Sequence, residues 1–236
     1  LFLFAVKLCI ILTPLHLTTM IQKYRQSFNA NFTKEKYHHF VKSLESGYPE
    51  IPFRVAETPI FITEDLKVKL IAAGEEIIAL IKQDNFKELT QNAIPEAWKV
   101  KNETGNPHFL TFDYGLCKDE NGETIPMLIE MQGFPSLYGF QSHLAKTFKS
   151  VFELDDQLTP YFNGLTETSY FDLLRKIILG KHAPHEVAIM DIDAPNQKTA
   201  IDFFVTAKHL GIKILALEEI VREGNQLFYT ENAEKI

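Results

Sequence analysis

The chain has 236 residues, 45% of them hydrophobic and 23% charged, which is typical of a globular protein large enough to bury a sizeable core. Its formal net charge is −7 and it carries no basic stripe, so nucleic acid and anionic membranes are excluded as main partners. The two cysteines, Cys9 and Cys117, are too few for a disulfide framework, and we expect a reducing, cytoplasmic location.

The first nineteen residues are apolar, and no Met stands at position 1. Three interpretations are open: a signal peptide, a transmembrane helix, or translated upstream sequence before a true start at Met20. A signal peptide needs a basic start and a small-residue cleavage site, which this segment lacks. Lys7 and Pro14 interrupt the run of about 20 apolar residues that a membrane span requires. We therefore interpret residues 1–19 as a non-native or leader-like segment.

Residues 20–150 are predicted to form one domain, helical at first and ending with a hairpin and a helix. Thr63, followed by Asp65, is typical of a helix start. An apolar stripe continues from there through Lys82, which indicates a helix that packs on a core.

Two predicted strands follow, joined by the turn signal Asn121-Gly122. Apolar and polar residues alternate with period 2 over residues 110–114 and 127–132, which is typical of half-buried strands. Asn-Gly is the strongest short-range hairpin signal, and it favours a two-residue turn. Such a turn pairs Thr111 with Gln132, Phe112 with Met131, Asp113 with Glu130, and Tyr114 with Ile129.

This register leaves one face of the hairpin apolar and places two carboxylates and an amide on the other. The polar residues are Asp113, Glu130 and Gln132. Like charges directly opposite one another are destabilising unless something compensates them. Mg²⁺ takes oxygen ligands and is usually held by one or two carboxylates plus substrate phosphates. The pattern therefore predicts a magnesium site; the alternative is an ordinary solvated face, and Pro126 could shift the register.

The segment 133–136 leads from the second strand into a predicted helix. Gly133 allows close approach of a ligand to the backbone. Ser136 is expected to cap a helix from Leu137 to about Lys149. The free N–H groups of such a helix start favour an anionic group. Tyr138 in the first turn is either a pocket residue or a core aromatic.

Residues 151–236 are predicted to form a small α/β domain. An apolar strand over residues 186–192, a helix from Pro195 to Gly211 and a second buried strand make a β-α-β unit with parallel strands. Gly224-Asn225 then predicts a short hairpin. His182 and His185 are interpreted as loop residues.

Asp191-Ile192-Asp193 closes the first of these strands. It resembles the opening motif of haloacid-dehalogenase-type phosphatases, in which the first Asp is the nucleophile and the second a general acid. In that family Gly and then Thr or Val usually follow, whereas here the sequence continues with Ala194-Pro195. The alternative is that these acids cap the next helix.

The segment LIEMQGFPSLYGF, residues 128–140, resembles the metal-binding strand of the ATP-grasp ligases, especially the glutathione synthetase and glutathionylspermidine synthetase types. Asp113 and Glu130 match the family's acidic positions. Gln132 stands where the family has Asn, and Thr111 stands where the glutathionylspermidine type carries a substrate-contacting arginine. The resemblance implies that Asp113, Glu130 and Gln132 hold Mg²⁺ that bridges ATP phosphates.

The resemblance further implies an α/β, glutathione synthetase-like ATP-grasp fold whose front part is this chain. It implies a ligase that joins small-molecule carboxylate and amine substrates through an acyl phosphate, with Thr111, Gly133, Ser136 and Tyr138 near substrate. The family's ATP-binding lysines and glycine-rich loop are expected after Ile236, so we expect a truncated chain. The alternative is a non-catalytic small-molecule binding module of the same fold, which Gln132 and Thr111 favour.

Overall fold

The computed structural model describes residues 3–8, as backbone, and residues 21–101, 107–134 and 136–236. Most of the predicted leader-like segment lies outside the described residues. The chain combines α-helices with small β-sheets, which confirms the general α/β class. It divides into two compact units: Leu1–Ser27 with Ile60–Pro135, and Phe28–Pro59 with Ser136–Ile236. The predicted domain boundary after residue 150 falls inside a helix.

Runs of α-helices and runs of strands follow one another along the described part of the chain. The α-helices are α1 (Gln22–Asn31), α2 (Lys34–Leu44), α3 (Glu64–Ile81), α4 (Phe86–Thr90), α5 (Tyr138–Phe152), α6 (Glu167–Leu179) and α7 (Ala200–Leu210). The strands are β1 (Leu3–Leu8), β2 (Phe109–Lys118), β3 (Thr124–Gln132), β4 (Ala188–Asp191), β5 (Lys213–Ala216), β6 (Val221–Glu223), β7 (Gln226–Phe228), β8 (Thr230–Glu231) and β9 (Glu234–Lys235). None of the described helices combines the length and apolarity of a membrane span.

The first unit is built on a three-stranded sheet in the order β1-β2-β3. β2 is central, parallel to β1 and antiparallel to β3. Helix α3 covers this sheet. The Thr63 side chain caps it by accepting a hydrogen bond from the Leu66 N–H at 3.2 Å, as predicted. One core cluster joins helix and strand, and it contains Leu66, Leu70, Ile78, Leu110, Phe112 and Tyr114.

The second unit packs α2, α5, α6 and α7 with the parallel pair β4–β5. An aromatic cluster joins α1 and α2 to α5: the ring centroids of Phe40 and Phe148 are 4.1 Å apart, and those of Phe28 and Phe152 are 4.7 Å apart. Such rings bury large apolar areas and contribute beyond area alone when they pack in tilted arrangements.

The predicted β-α-β unit is confirmed in this second unit. β4 and β5 pair in parallel through α7, with Ala188 opposite Lys213. Helix α7 begins at Ala200, later than predicted, because Pro195 lies in a separate 3₁₀ turn over Ala194–Asn196. Gly211 ends α7 at φ +73°, a left-handed conformation that glycine adopts readily. The hairpin β6–β7 around Gly224 is also confirmed.

Candidate functional site

The register of the β2–β3 hairpin places the predicted acidic residues opposite each other. The pairs Thr111–Gln132, Phe112–Met131 and Asp113–Glu130 are confirmed. The predicted pair Tyr114–Ile129 is wrong, because Tyr114 lies opposite Leu128 and the register shifts between Asp113 and Tyr114.

The difference arises in the loop. The Asp119 N–H donates to the Glu123 carbonyl at 2.9 Å, and the Gly122 N–H donates to the Asp119 carbonyl at 3.0 Å. Gly122 has φ +79°, so the loop is a three-residue connection with glycine in the left-handed position rather than the predicted two-residue turn. This shifts the strands by one residue. A bulge at Ile129 restores the predicted register before Glu130.

Four of the predicted site residues therefore come together in the first unit. Directly opposite residues of an antiparallel pair project from the same face, so Asp113 faces Glu130, and Thr111 faces Gln132. The Gln132 Nε2 donates a hydrogen bond to the Glu130 Oε1. Asp113 and Thr111 are buried at 8% and 7% exposure, whereas Glu130 is exposed. The acid pair thus reaches from the buried central strand to the solvent.

Only the β2 residues of the predicted apolar face are buried. Phe112 and Tyr114 on β2 are fully buried, but Met127, Ile129 and Met131 on β3 are 40–52% exposed. For two of these residues the reason is the register shift. Met127 lies opposite Gly115, and the Ile129 side chain is 3.6 Å from where a Cβ of Gly115 would stand, so both lie on the face of Asp113 rather than on the buried face of Phe112.

The donor set fits a magnesium ion that is shared with a ligand. No group of three or more His, Cys, Asp or Glu side chains in the described part of the chain is arranged to hold a metal ion. The hairpin therefore offers two carboxylates, from Asp113 and Glu130, and the amide oxygen of Gln132. Mg²⁺ is commonly held by one or two carboxylates, with water and phosphate oxygens completing its octahedron.

The remaining predicted site residues divide between the units. Gly133 belongs to the first unit, and a Cβ there would be 4.0 Å from its nearest neighbours, so local packing does not require glycine. Ser136 and Tyr138 belong to the second unit. Tyr138 is 3% exposed and its carbonyl accepts a hydrogen bond from the Tyr170 hydroxyl at 2.8 Å. Tyr138 is therefore a core residue.

The predicted cap of α5 by Ser136 is wrong. The N-cap is Leu137, at φ +64°, and no capping hydrogen bond comes from its own side chain. The cap is instead Asp202 of α7, whose carboxylate accepts hydrogen bonds from the N–H groups of Leu137 and Phe140, both at 2.8 Å. A side chain of the same unit thus occupies the anion position that we expected a ligand to fill.

Asp202 is the residue of this region that sequence reasoning missed. Its burial raises the pKa of its carboxyl, against the opposing effect of the N–H groups of Phe140, Leu137 and Gly139. A signal was present: an acid stands inside the apolar stripe of α7, next to Ile201 and three residues before Val205 and Thr206 begin the next turn. Because the N–H groups that Asp202 binds are distant in sequence, the residues around Asp202 do not indicate its role.

The acids of the phosphatase-like motif make local contacts. The Asp191 Oδ1 accepts a hydrogen bond from the adjacent Ile192 N–H at 2.7 Å. Asp193 has φ +52° and its Oδ1 accepts from the Asn196 Nδ2 at 2.8 Å. They stabilise the turn after β4 and do not cap α7. His182 lies in a bend, as expected of a loop residue, whereas His185 lies in the short 3₁₀ helix Pro184–Glu186.

A second polar feature, which sequence reasoning also missed, lies in the second unit. A cleft of about 660 Å³ is lined by residues of α2, α5, α6 and α7 and of the segment after α2. We call it the histidine cleft after His39, His143 and His209, which line it together with Tyr48, Lys146 and Lys208. These residues are spread over 171 positions of the chain, so no sequence motif unites them.

Comparison of the chain with protein-family models, curated proteins and solved structures found no match. Functional inference therefore depends on the chemistry of the hairpin and of the histidine cleft.

Proposed function

We propose that this chain is the front part of an ATP-grasp-like ligase that joins a carboxylate to an amine with Mg²⁺ and ATP. The observation that carries the proposal is the placement of Asp113 directly opposite Glu130, with Gln132 hydrogen-bonded to Glu130. These are the residues that resemble the metal-binding positions of that family.

The energetics of the hairpin support a bound cation. Two carboxylates in directly opposite positions repel each other, and a divalent cation between them would interact favourably with both. The register supports it as well. The hairpin would leave Glu130 out of line with Asp113 if the loop alone set the pairing, and the bulge at Ile129 brings the two acids back into line. Bulges that re-aim side chains are common beside active sites.

The chemistry assigned to the site is acyl transfer through an acyl phosphate. The carboxylate substrate attacks the γ-phosphorus of ATP and ADP leaves; the amine then attacks the acyl carbon, loses a proton, and inorganic phosphate leaves. Bound Mg²⁺ would supply charge neutralisation on the phosphates. Asp113 and Glu130 would hold it, Gln132 would orient Glu130, and Thr111 would contact substrate beside them.

The test is Mn²⁺ binding in place of Mg²⁺, followed by electron paramagnetic resonance with and without ATP. We expect Glu130→Gln and Asp113→Asn to weaken Mn²⁺ binding at least about tenfold, as loss of metal-site groups typically does. Glu120→Gln is the matched control, because it removes the same charge from an exposed loop position of the same hairpin. Unchanged binding in Glu130→Gln, or equal loss in Glu120→Gln, would contradict the proposal. Since Asp113 is buried, circular dichroism must show that Asp113→Asn still folds.

A non-catalytic binding module is the second candidate, and one observation favours it. The N–H groups of Leu137 and Phe140 at the start of α5 are engaged by Asp202, so they do not bind an anionic substrate. The two candidates differ in turnover. The measurement needs the chain joined to the ATP-binding elements that the family resemblance implies: a ligase then releases ADP in proportion to added carboxylate substrate, whereas a binding module binds Mn²⁺ and nucleotide and releases none.

A further inference from the structure

The histidine cleft concentrates cationic and imidazole side chains in one unit of the chain. It contains none of the predicted magnesium ligands, so an inference about it stands apart from the ligase proposal. Its volume, about 660 Å³, lies within the range of small-molecule binding sites.

Only some of the charged side chains of the cleft form ion pairs with one another. The Lys146 Nζ donates to the Glu167 Oε1 at 2.8 Å. The Lys208 Nζ lies 4.9 Å from the centre of the Tyr48 ring, and none of the described carboxylates forms an ion pair with it. A cation above an aromatic ring is favourably placed, and among the described residues this ammonium has only that ring contact.

Two imidazoles adjoin this ammonium. The His143 ring meets the Tyr48 ring edge to face, with centroids 4.9 Å apart. Its Nε2 lies 3.0 Å from the Leu44 carbonyl oxygen, which only accepts, so Nε2 carries a proton. The His209 ring stacks on Phe171 with centroids 3.7 Å apart. Tyr48 and Phe171 thus hold the two rings in fixed positions.

The electrostatics around His209 show that one end of the cleft is basic. Burial lowers the pKa of His209, Glu167 opposes that effect, and Lys146, His143 and Lys208 lower it further. Three basic groups and one acid therefore act on this ring, and we call the part of the cleft around His209 the basic end.

We propose that the basic end of the histidine cleft binds the phosphate group of a small molecule, through Lys208 and Lys146 with His143 and His209 beside them. Phosphate carries close to two negative charges at neutral pH, so it gains from Lys208 and also from Lys146 beside its ion pair with Glu167. A carboxylate carries one charge and gains less from the same groups. The rest of the cleft leaves room for an organic substituent on the phosphate.

The test uses the full chain and follows the histidine ring proton signals by NMR. Inorganic phosphate, glycerol 3-phosphate and acetate are titrated separately, without Mg²⁺ and at constant ionic strength set with chloride. We expect saturable shifts of the His143 and His209 signals with both phosphates and none with acetate. Tighter binding of glycerol 3-phosphate identifies a phosphate ester as the ligand, and equal binding identifies free phosphate.

Two variants make the assignment specific. Lys208→Met keeps the apolar stem over Tyr48 and removes the charge, and we expect it to weaken phosphate binding at least about fivefold, the effect of one charge pair at contact distance even in bulk water. Lys198→Met, which changes an exposed lysine of the same unit outside the cleft, is expected to leave binding unchanged. Binding of acetate equal to that of phosphate, the absence of saturable shifts, or equal losses in Lys208→Met and Lys198→Met would overturn the proposal.

Discussion

The Asp202 carboxylate on α7 accepts a hydrogen bond from the Phe140 N–H in the first turn of α5, at 2.8 Å, across 62 residues of sequence. Its other oxygen accepts from the Leu137 N–H at the same distance. Asp202 is 5% exposed. One buried side chain therefore satisfies two N–H groups that a helix start leaves without partners, and it joins α5 to α7.

Asp202→Asn is predicted to lower the free energy of unfolding by about 1–3 kcal/mol. Asn offers one acceptor oxygen where the two N–H groups use two, so one buried N–H loses its partner. Urea denaturation followed by circular dichroism measures the change. Asp172→Asn is the control, because Asp172 lies on the exposed side of α6, where its ion pair with Arg175 contributes little. Equal effects of the two substitutions would show that Asp202 is not a buried cap.

The contribution of Asp202 to stability is predicted to fall as the pH rises, which is unusual for an acidic side chain. Burial raises the pKa of Asp202 above its ordinary value of 3.8. The folded state therefore binds more protons than the unfolded state between these two pKa values, and stability falls as pH rises through that window. Most acids that are paired in the folded state contribute the opposite slope.

The measurement is the free energy of unfolding of the natural chain and of Asp202→Asn from about pH 4 upward, where an unperturbed Asp begins to ionise. We expect the stability advantage of the natural chain over Asp202→Asn to shrink with rising pH. An advantage that grows with pH would mean that the backbone N–H groups outweigh burial and that the pKa of Asp202 is lowered.

The close approach of α5 to α7 predicts an unfavourable Gly139→Ala substitution. Alanine normally stabilises a helix relative to glycine by about 1 kcal/mol. Here a Cβ would be 3.0 Å from the Thr206 backbone nitrogen and 3.3 Å from its Cα, and closer still to its hydroxyl. Since backbone atoms cannot rotate away, we expect a net loss of about 1–3 kcal/mol.

Thermal denaturation measures this loss, and Thr206→Ala tests its cause. Removing the hydroxyl should recover only part of the loss, because the contacts with the Thr206 backbone remain. Gly133→Ala serves as a control outside this helix pair, since a Cβ there meets nothing closer than 4.0 Å. If Gly139→Ala is as stable as the natural chain, α5 and α7 do not pack as closely as the Thr206 contacts indicate.

Local patterns in the sequence predicted much of the fold. The cap at Thr63 and the stripe of α3 depend on residues within one or two turns, and the β-α-β unit depends on strand and helix periods that are visible along the chain. The alignment of Asp113 with Glu130 was also predicted, but the structure reaches it in another way. The loop shifts the pairing of the strands by one residue, and the bulge at Ile129 shifts it back. The alternation from which the register was predicted indicates neither change.

Several of the features that sequence reasoning missed depend on distant partners. Ser136 is a good cap by residue type, but Asp202 takes that role from another helix. The order of strands decides which residues of the hairpin are buried, so Met131 is exposed opposite a buried Phe112. The histidine cleft joins residues from four helices. Tertiary packing, not local propensity, fixes each of these positions.

The final prediction couples metal binding to the stability of the hairpin. Without divalent cations, Glu130→Gln is expected to stabilise the chain by about 0.2–1 kcal/mol, because it removes a like charge opposite Asp113. With Mg²⁺ at roughly tenfold its dissociation constant, the natural chain should gain about 1.4 kcal/mol and Glu130→Gln should gain far less. The order of stability then reverses.

Urea denaturation with EDTA and with Mg²⁺ measures both stabilities, and Glu120→Gln should respond to Mg²⁺ as the natural chain does. If Mg²⁺ stabilises Glu130→Gln and the natural chain equally, the cation does not bind between Asp113 and Glu130, and the ligase proposal loses the observation that carries it.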